Sequence, residues 1–172
     1  MSGERSPIIG VMGGSQVAGE VESLARELGR AVALEGWIVL SGGRDAGVMA
    51  AVSAGAAEAG GTVVGILPDR DLTDASPHLT IPIRTGLGDA RNVINILSSD
   101  VVVALPGSAG TLSEIALAVK AGKPLVLLGW TEPPLPSVGA PGMSSFGRVS
   151  EVVIEIRSLI KRGLNRPAKT QK

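Results

Sequence analysis

Short apolar runs recur along this chain, and each is closed by a glycine- or proline-rich turn. Most are followed by a stretch whose apolar residues fall at helical spacing. Ile8–Met12 ends in Gly13-Gly14-Ser15, and Trp37–Leu40 ends in Ser41-Gly42-Gly43. Thr62–Leu67 ends at Pro68, and Val101–Leu105 ends in Pro106-Gly107-Ser108-Ala109-Gly110. Continuous apolar strands alternating with helices predict a parallel sheet buried on both faces. Right-handed crossovers make such a sheet doubly wound. The expectation is therefore a single α/β, Rossmann-like doubly wound domain over residues 1–172, with helices on both faces.

The remaining elements follow from the same spacing. Val21, Leu24, Ala25, Leu28, Ala31 and Val32 predict an amphipathic helix, stopped by Gly36. Gly47–Ala59 is an Ala-rich helix, and Asp69–Thr80 is a polar loop carrying His78, read as a loop surface residue. Ile81–Arg84 reads as an edge strand because of Pro82. Thr85–Asp89 turns into a helix over Ala90–Ser99, and Leu112, Ile115, Ala116 and Val119 mark another. Leu125–Leu128 is the last clear strand. Residues 130–148, rich in Pro, Gly and Ser, read as an irregular loop in which Trp130 packs. Val152, Val153, Ile156, Leu159 and Ile160 place a final helix on the core, and residues 163–172 form a basic tail.

Composition excludes several chemistries. With no Cys there is no disulfide frame or thiol nucleophile, and a single His excludes zinc held by several imidazoles. The formal charge of 0 gives no general attraction to nucleic acid or to a membrane. No apolar run approaches a membrane span and the start lacks a signal-peptide layout, so a cytoplasmic protein is expected. Aromatics are only 2% of the chain, so aliphatic side chains, Met12 and Met49 among them, must fill the core. Glycine is in excess, at 24 of 172 residues, which points to turns or to backbone brought close to a ligand.

Ligands of doubly wound sheets bind beyond the carboxyl ends of the strands. Four of those ends carry glycine turns here: Gly13-Gly14, Gly42-Gly43, Gly86/Gly88 and Gly107/Gly110. A turn entering a helix offers free amides and the positive end of the helix dipole, which suits phosphate. Pro106-Gly107-Ser108-Ala109-Gly110-Thr111 is the strongest candidate, with Ser108 and Thr111 adding hydroxyl donors. On this reading Gly107→Val abolishes binding with little change in melting temperature. The dinucleotide fingerprint, the P-loop lysine and a nucleophile elbow are absent. Thr111-Leu112-Ser113-Glu114 reads first as a capping box with Glu114 at its third helical position. Arg91 stands in the first turn of a helix, where a cation is disfavoured unless an anion or a carboxylate faces it. Arg44 follows the same logic but has Asp45 beside it.

These residues also carry a resemblance. Ser41-Gly42-Gly43-Arg44-Asp45-Ala46-Gly47-Val48-Met49 resembles the GGG-x-x-G-[LV]-M segment of the LOG ("lonely guy") superfamily, long labelled lysine-decarboxylase-like. Pro106 to Glu114 resembles its P-G-G-x-G-T-x-x-E segment, and Arg91 is spaced from it like the arginine of M-H-x-R-K. The resemblance runs from Ile8 to Leu128. This chain departs from it in lacking the His and Lys beside Arg91, and in carrying Ser108 for the second glycine. Pro7–Gly13, Gly36-Trp37-Ile38, Gly42-Gly43-Arg44 and Thr85–Arg91 look closer to the molybdenum-cofactor carrier branch.

The resemblance implies a protein that binds a phosphorylated, nucleotide-like small molecule, molybdenum cofactor above all. No cofactor is required; molybdenum cofactor or a nucleoside monophosphate is the expected bound molecule, without nucleic acid or membrane partners. The alternative it implies is a nucleoside 5′-monophosphate phosphoribohydrolase using Arg91 and Glu114, and a ligand sensor is a third reading. The expected ligand contacts are Gly13, Gly14, Ser15, Gly42, Gly43, Arg44, Met49, Arg91, Asn92, Pro106, Gly107, Ser108, Ala109, Gly110, Thr111 and Glu114. A homodimer is implied as well.

Overall fold

A computed structural model describes residues 5–132 and 143–164. Seven parallel strands form one sheet in the order β4-β3-β2-β1-β5-β6-β7. They are β1 (Ile8–Met12), β2 (Ile38–Ser41), β3 (Val63–Leu67), β4 (Ile81–Arg84), β5 (Val101–Ala104), β6 (Leu125–Leu128) and β7 (Met143–Phe146). The helices are α1 (Gly19–Leu34), α2 (Gly47–Glu58), α3 (Asn92–Ser98), α4 (Ala109–Lys120) and α5 (Val149–Leu164), and a 3₁₀ turn, Gly88–Arg91, leads into α3. The α/β doubly wound expectation holds.

The two-residue period of the strands sorts the core into two layers. Ile9, Val11, Val39, Val63, Val101 and Val103 face α1, α2 and α5, meeting Leu28, Val32, Val52 and Ile156. Met12, Leu40, Ile66, Val102, Ala104 and Leu127 face the other way and pack on Ile96 of α3 and on Ile115 and Ala118 of α4. Close contact between α1 and α2 depends on glycine: a Cβ on Gly29 would strike the Val52 carbonyl, and one on Gly55 the Arg26 carbonyl.

Pro82 does sit on an edge strand. Three expectations need correction. The stretch 130–148 is not wholly irregular, because Met143–Phe146 pairs in parallel with β6 as the opposite edge strand. Its sequence, Met-Ser-Ser-Phe, lacks an apolar run because an edge strand is only half buried. Residues 163 and 164 continue α5 rather than opening the tail. The predicted helix Ala90–Ser99 is instead the 3₁₀ turn followed by a short α3. Residues 133–142 of the expected loop and 165–172 of the expected tail lie outside the described residues. No helix among the described residues is long and apolar enough to cross a membrane.

Candidate ligand-binding site

Strand order reverses direction between β1 and β5, so the loops leaving these neighbours part to opposite faces and open a crevice. The loops are held together at its floor: the Gly14 N–H donates to the Pro106 carbonyl at 3.2 Å. Here lies a cleft of about 180 Å³. Gly13, Gly14 and Ser15 after β1, Gly42 and Arg44 after β2, and Met49 of α2 form one part of its wall. Arg91, Asn92, Ser108, Gly110, Thr111 and Glu114 form the rest. Gly43, Pro106, Gly107 and Ala109, also among the expected contacts, are not part of the lining. Val11, Met12 and Asp89 also line the cleft and were not among the expected contacts. Asp89 had a signal in its position two residues before Arg91. Met12 gave none beyond that of a core residue, since it is 2% exposed.

Helix α4 starts earlier than its apolar spacing predicts, and this changes the reading of Glu114. Ser108 is its N-cap residue, in extended conformation, and makes no side-chain cap bond. The first amides of α4 are therefore not occupied by a capping side chain. The capping-box reading of Thr111–Glu114 is overturned: Glu114 lies beyond the first turn, and its Oε1 accepts from Asn95 Nδ2 at 3.1 Å. Glu114 is 8% exposed. Burial pushes its carboxyl above the ordinary carboxylate range, against the opposing effects of the Asn95 hydrogen bond and the Arg91 charge.

Arg91 comes from the 3₁₀ turn and reaches across the end of β3, donating from Nη1 to the Ile66 carbonyl at 2.6 Å. Burial pushes its guanidinium below its ordinary range, while Glu114 pulls the other way. Gly42 makes room for it. A Cβ there would come within 2.6 Å of Met49 Sδ and 2.7 Å of Arg91 Nη2. Arg44 pairs with Asp69, at 2.9 Å, rather than with its neighbour Asp45. The Nε–H groups of both Arg44 and Arg91 are buried and have no acceptor. Buried donors are nearly always paired, so two orphans on residues of one cleft are unusual.

The turn after β5 is tightly built. A Cβ on Gly107 would strike Thr111 Oγ1 and approach the Gly14 nitrogen to 2.6 Å. Gly86 and Gly88, at the fourth turn, lie outside the lining, and that turn contributes Asp89 and Arg91 instead. Trp130 packs on the α3/α4 layer and donates to the Ala104 carbonyl at 2.9 Å. His78 lies away from the cleft, in a groove between α1 and α2. Among the described residues no group of His, Cys, Asp and Glu is arranged to hold a metal ion.

The chain is similar to known proteins. The molybdenum cofactor binding protein from the phototrophic bacterium Rippkaea orientalis is 42% identical, with a TM-score of 0.85 over 91% of this chain and 98% of that one. The molybdenum cofactor carrier protein from Chlamydomonas reinhardtii is 44% identical, with a TM-score of 0.84 over 91% and 99%. A cytokinin riboside 5′-monophosphate phosphoribohydrolase of Mycobacterium tuberculosis is 34% identical over 100 residues, 56% of this chain and 52% of that protein. A model of the SLOG cluster4 family matches residues 6–154, nearly the whole of the described chain, and the protein belongs to that family.

Proposed function

We propose that this protein binds a phosphorylated, nucleotide-like small molecule, with molybdenum cofactor as its cargo, and carries it without turning it over. The observation that carries this reading is one cleft lined both by two arginines, Arg44 and Arg91, and by the start of α4, whose first amides no side chain caps. Each feature suits an anion, and together they suit a phosphate with several acceptor oxygens. The cleft is smaller than pockets that enclose a drug-sized ligand, which span about 300–1,000 Å³. It therefore grips the phosphate end and leaves the rest of the ligand outside. The similarity to two molybdenum cofactor proteins over almost their whole length supports the choice of cargo.

In this reading the amides at the start of α4 and in the Gly13–Ser15 turn hydrogen-bond the phosphate. Arg91 and Arg44 supply countercharge, and each already has one acidic neighbour or carbonyl to fix its geometry. Glu114 and Asn92 offer polar contacts beyond the phosphate. A homodimer is part of the proposal, and sedimentation equilibrium tests it.

The second reading is hydrolysis of the N-glycosidic bond of nucleoside monophosphates, favoured by the presence of Arg91 and Glu114 in the same cleft. There the Glu114 carboxylate would stabilise a sugar cation as water attacks. One experiment separates the two. The purified protein is given molybdenum cofactor, and retained molybdenum and pterin are measured. In parallel it is incubated with AMP and GMP, and free base is measured. Retention of cofactor without base release is expected. Base release that disappears in a folded Glu114→Ala variant would overturn the carrier reading.

A further inference from the structure

Asn95 is the least explained polar residue of the fold. It lies in α3 and is 0% exposed. It does not line the cleft. Its Nδ2 donates to Glu114 Oε1 at 3.1 Å, while its Oδ1 is buried without a partner. Asparagine is a poor interior helix residue, and an unpaired buried carbonyl is a standing cost that an apolar side chain of the same size would remove. The one thing the side chain does is hold Glu114. A carboxylate only accepts hydrogen bonds, so the amide presents its N–H to it, and Oδ1 is left on the other side without a donor.

We propose that Asn95 is a positioning residue, holding the Glu114 carboxyl against the cleft so that the Asn95–Glu114 pair sets the charge a bound anion meets. The proposal rests on the cleft being an anion site and deepens that reading. Glu114 faces Arg91 and Asp89 from the 3₁₀ turn, and Arg91 in turn feels Arg44 after β2 and Asp69 after β3. Burial raises the Glu114 carboxyl, and the Asn95 hydrogen bond opposes that rise. When Glu114 ionises, a negative charge appears beside the guest anion. Without Asn95 the carboxylate loses a donor, so ionisation waits for a higher pH.

The test uses inorganic sulfate, whose charge is constant between about pH 5 and 9, well above its own ionisation. Its affinity is measured by calorimetry across that range. In the wild type, affinity falls as pH rises through the Glu114 ionisation. In Glu114→Gln the profile is flat. In Asn95→Leu the fall moves upward by about one pH unit, the scale on which a single hydrogen bond moves a buried acid. In the double variant Asn95→Leu changes nothing further. Asn95→Ala removes the same donor and replaces the Leu variant if that one does not fold. A merely structural role would instead weaken sulfate binding equally at every pH, and equally in the Glu114→Gln background. That result, or an unshifted profile, would overturn the positioning role while leaving the anion site intact. A wild type that holds no sulfate at any pH would overturn the anion site itself, and the positioning role with it.

Discussion

The two edges of the sheet both carry charged side chains, and they use them in opposite ways. At the amino-terminal edge Asp100 accepts from both ends of the Arg5 guanidinium, at 2.7 and 2.6 Å, and from the Ile8 N–H at 2.8 Å. Nearby, Lys123 donates to the Leu97 and Ser99 carbonyls at 2.8 and 2.6 Å, tying down the end of α3. Every one of these charges meets a partner. At the carboxyl-terminal edge Arg44 and Arg91 each keep a buried N–H without an acceptor, although Arg44 pairs with Asp69, and Glu114 in the same cleft is held by a neutral amide. Cavity size points the wrong way, since the amino-terminal edge has the larger hollow, about 410 Å³ against about 180 Å³. Unsatisfied polarity, not volume, separates a site from a surface dent.

The contrast can be broken by substitution, and the largest effect belongs to Gly107→Val. Its side chain would collide with Thr111 and with the Gly14 backbone, which flexible neighbours cannot relieve. A loss of about 3 kcal/mol in unfolding free energy is expected by chemical denaturation, at the upper end of overpacking costs. This replaces the sequence-based expectation of a nearly unchanged melting temperature. Next comes Arg91→Ala. Removing a charged donor from the cleft should weaken phosphate binding by about 2 kcal/mol, roughly 30-fold, as read by calorimetry. Its stability should also fall by about 1 kcal/mol, because the Ile66 carbonyl loses that donor.

Asp100→Asn should behave in the opposite manner. It costs about 1 kcal/mol of stability, a modest figure because the pair is partly exposed to solvent, and it leaves phosphate affinity unchanged. Weaker phosphate binding in that variant would erase the distinction between the edges.

The smallest effect is in the pH dependence of stability, where the two acids have opposite signs. Burial raises Asp100, but its bonds to Arg5 and Ile8 outweigh this and hold it below its ordinary value. Its contribution is present above the unfolded value and is lost as pH falls through the lowered one. Glu114 is raised, so its contribution is full below the unfolded value of 4.5 and is lost as pH rises through the raised one. Thermal melts between about pH 3 and 8 should show a shallower acid limb in Asp100→Asn and a shallower decline on the rising-pH side in Glu114→Gln.

The legible parts of this protein were those written in local patterns. The buried strands β1, β2, β3, β5 and β6 announce themselves as apolar runs, because a strand covered on both faces has no solvent side to make polar. The edge strand β7 does not: Ser144 and Ser145 sit in a ladder with one neighbour, so nothing forces an apolar run. Within the site, the glycine turns and Arg91 were visible from composition and helix-end electrostatics. Glu114 was seen, but its local spacing to Thr111 suggested a cap, and only the start of α4 at Ala109 shows otherwise. Asn95 offered a faint signal. Asn92, Asn95, Ile96 and Ser99 share a helical period and all are buried, so this face of the helix is mostly polar where an apolar stripe would be expected.

From the chain alone came the alternation of strand and helix, the doubly wound class and the set of glycine turns, since each depends on the covalent order of residues and on backbone periods that repeat every few positions. Tertiary structure decided which of those turns meet. The order of the strands brings Arg44 and Arg91 to one cleft, sends His78 to another groove, and sets Asn95 against Glu114, residues 19 positions apart. Whether a polar atom is satisfied depends on groups distant in sequence, and the unpaired donors of Arg44 and Arg91 exist only after the sheet has assembled.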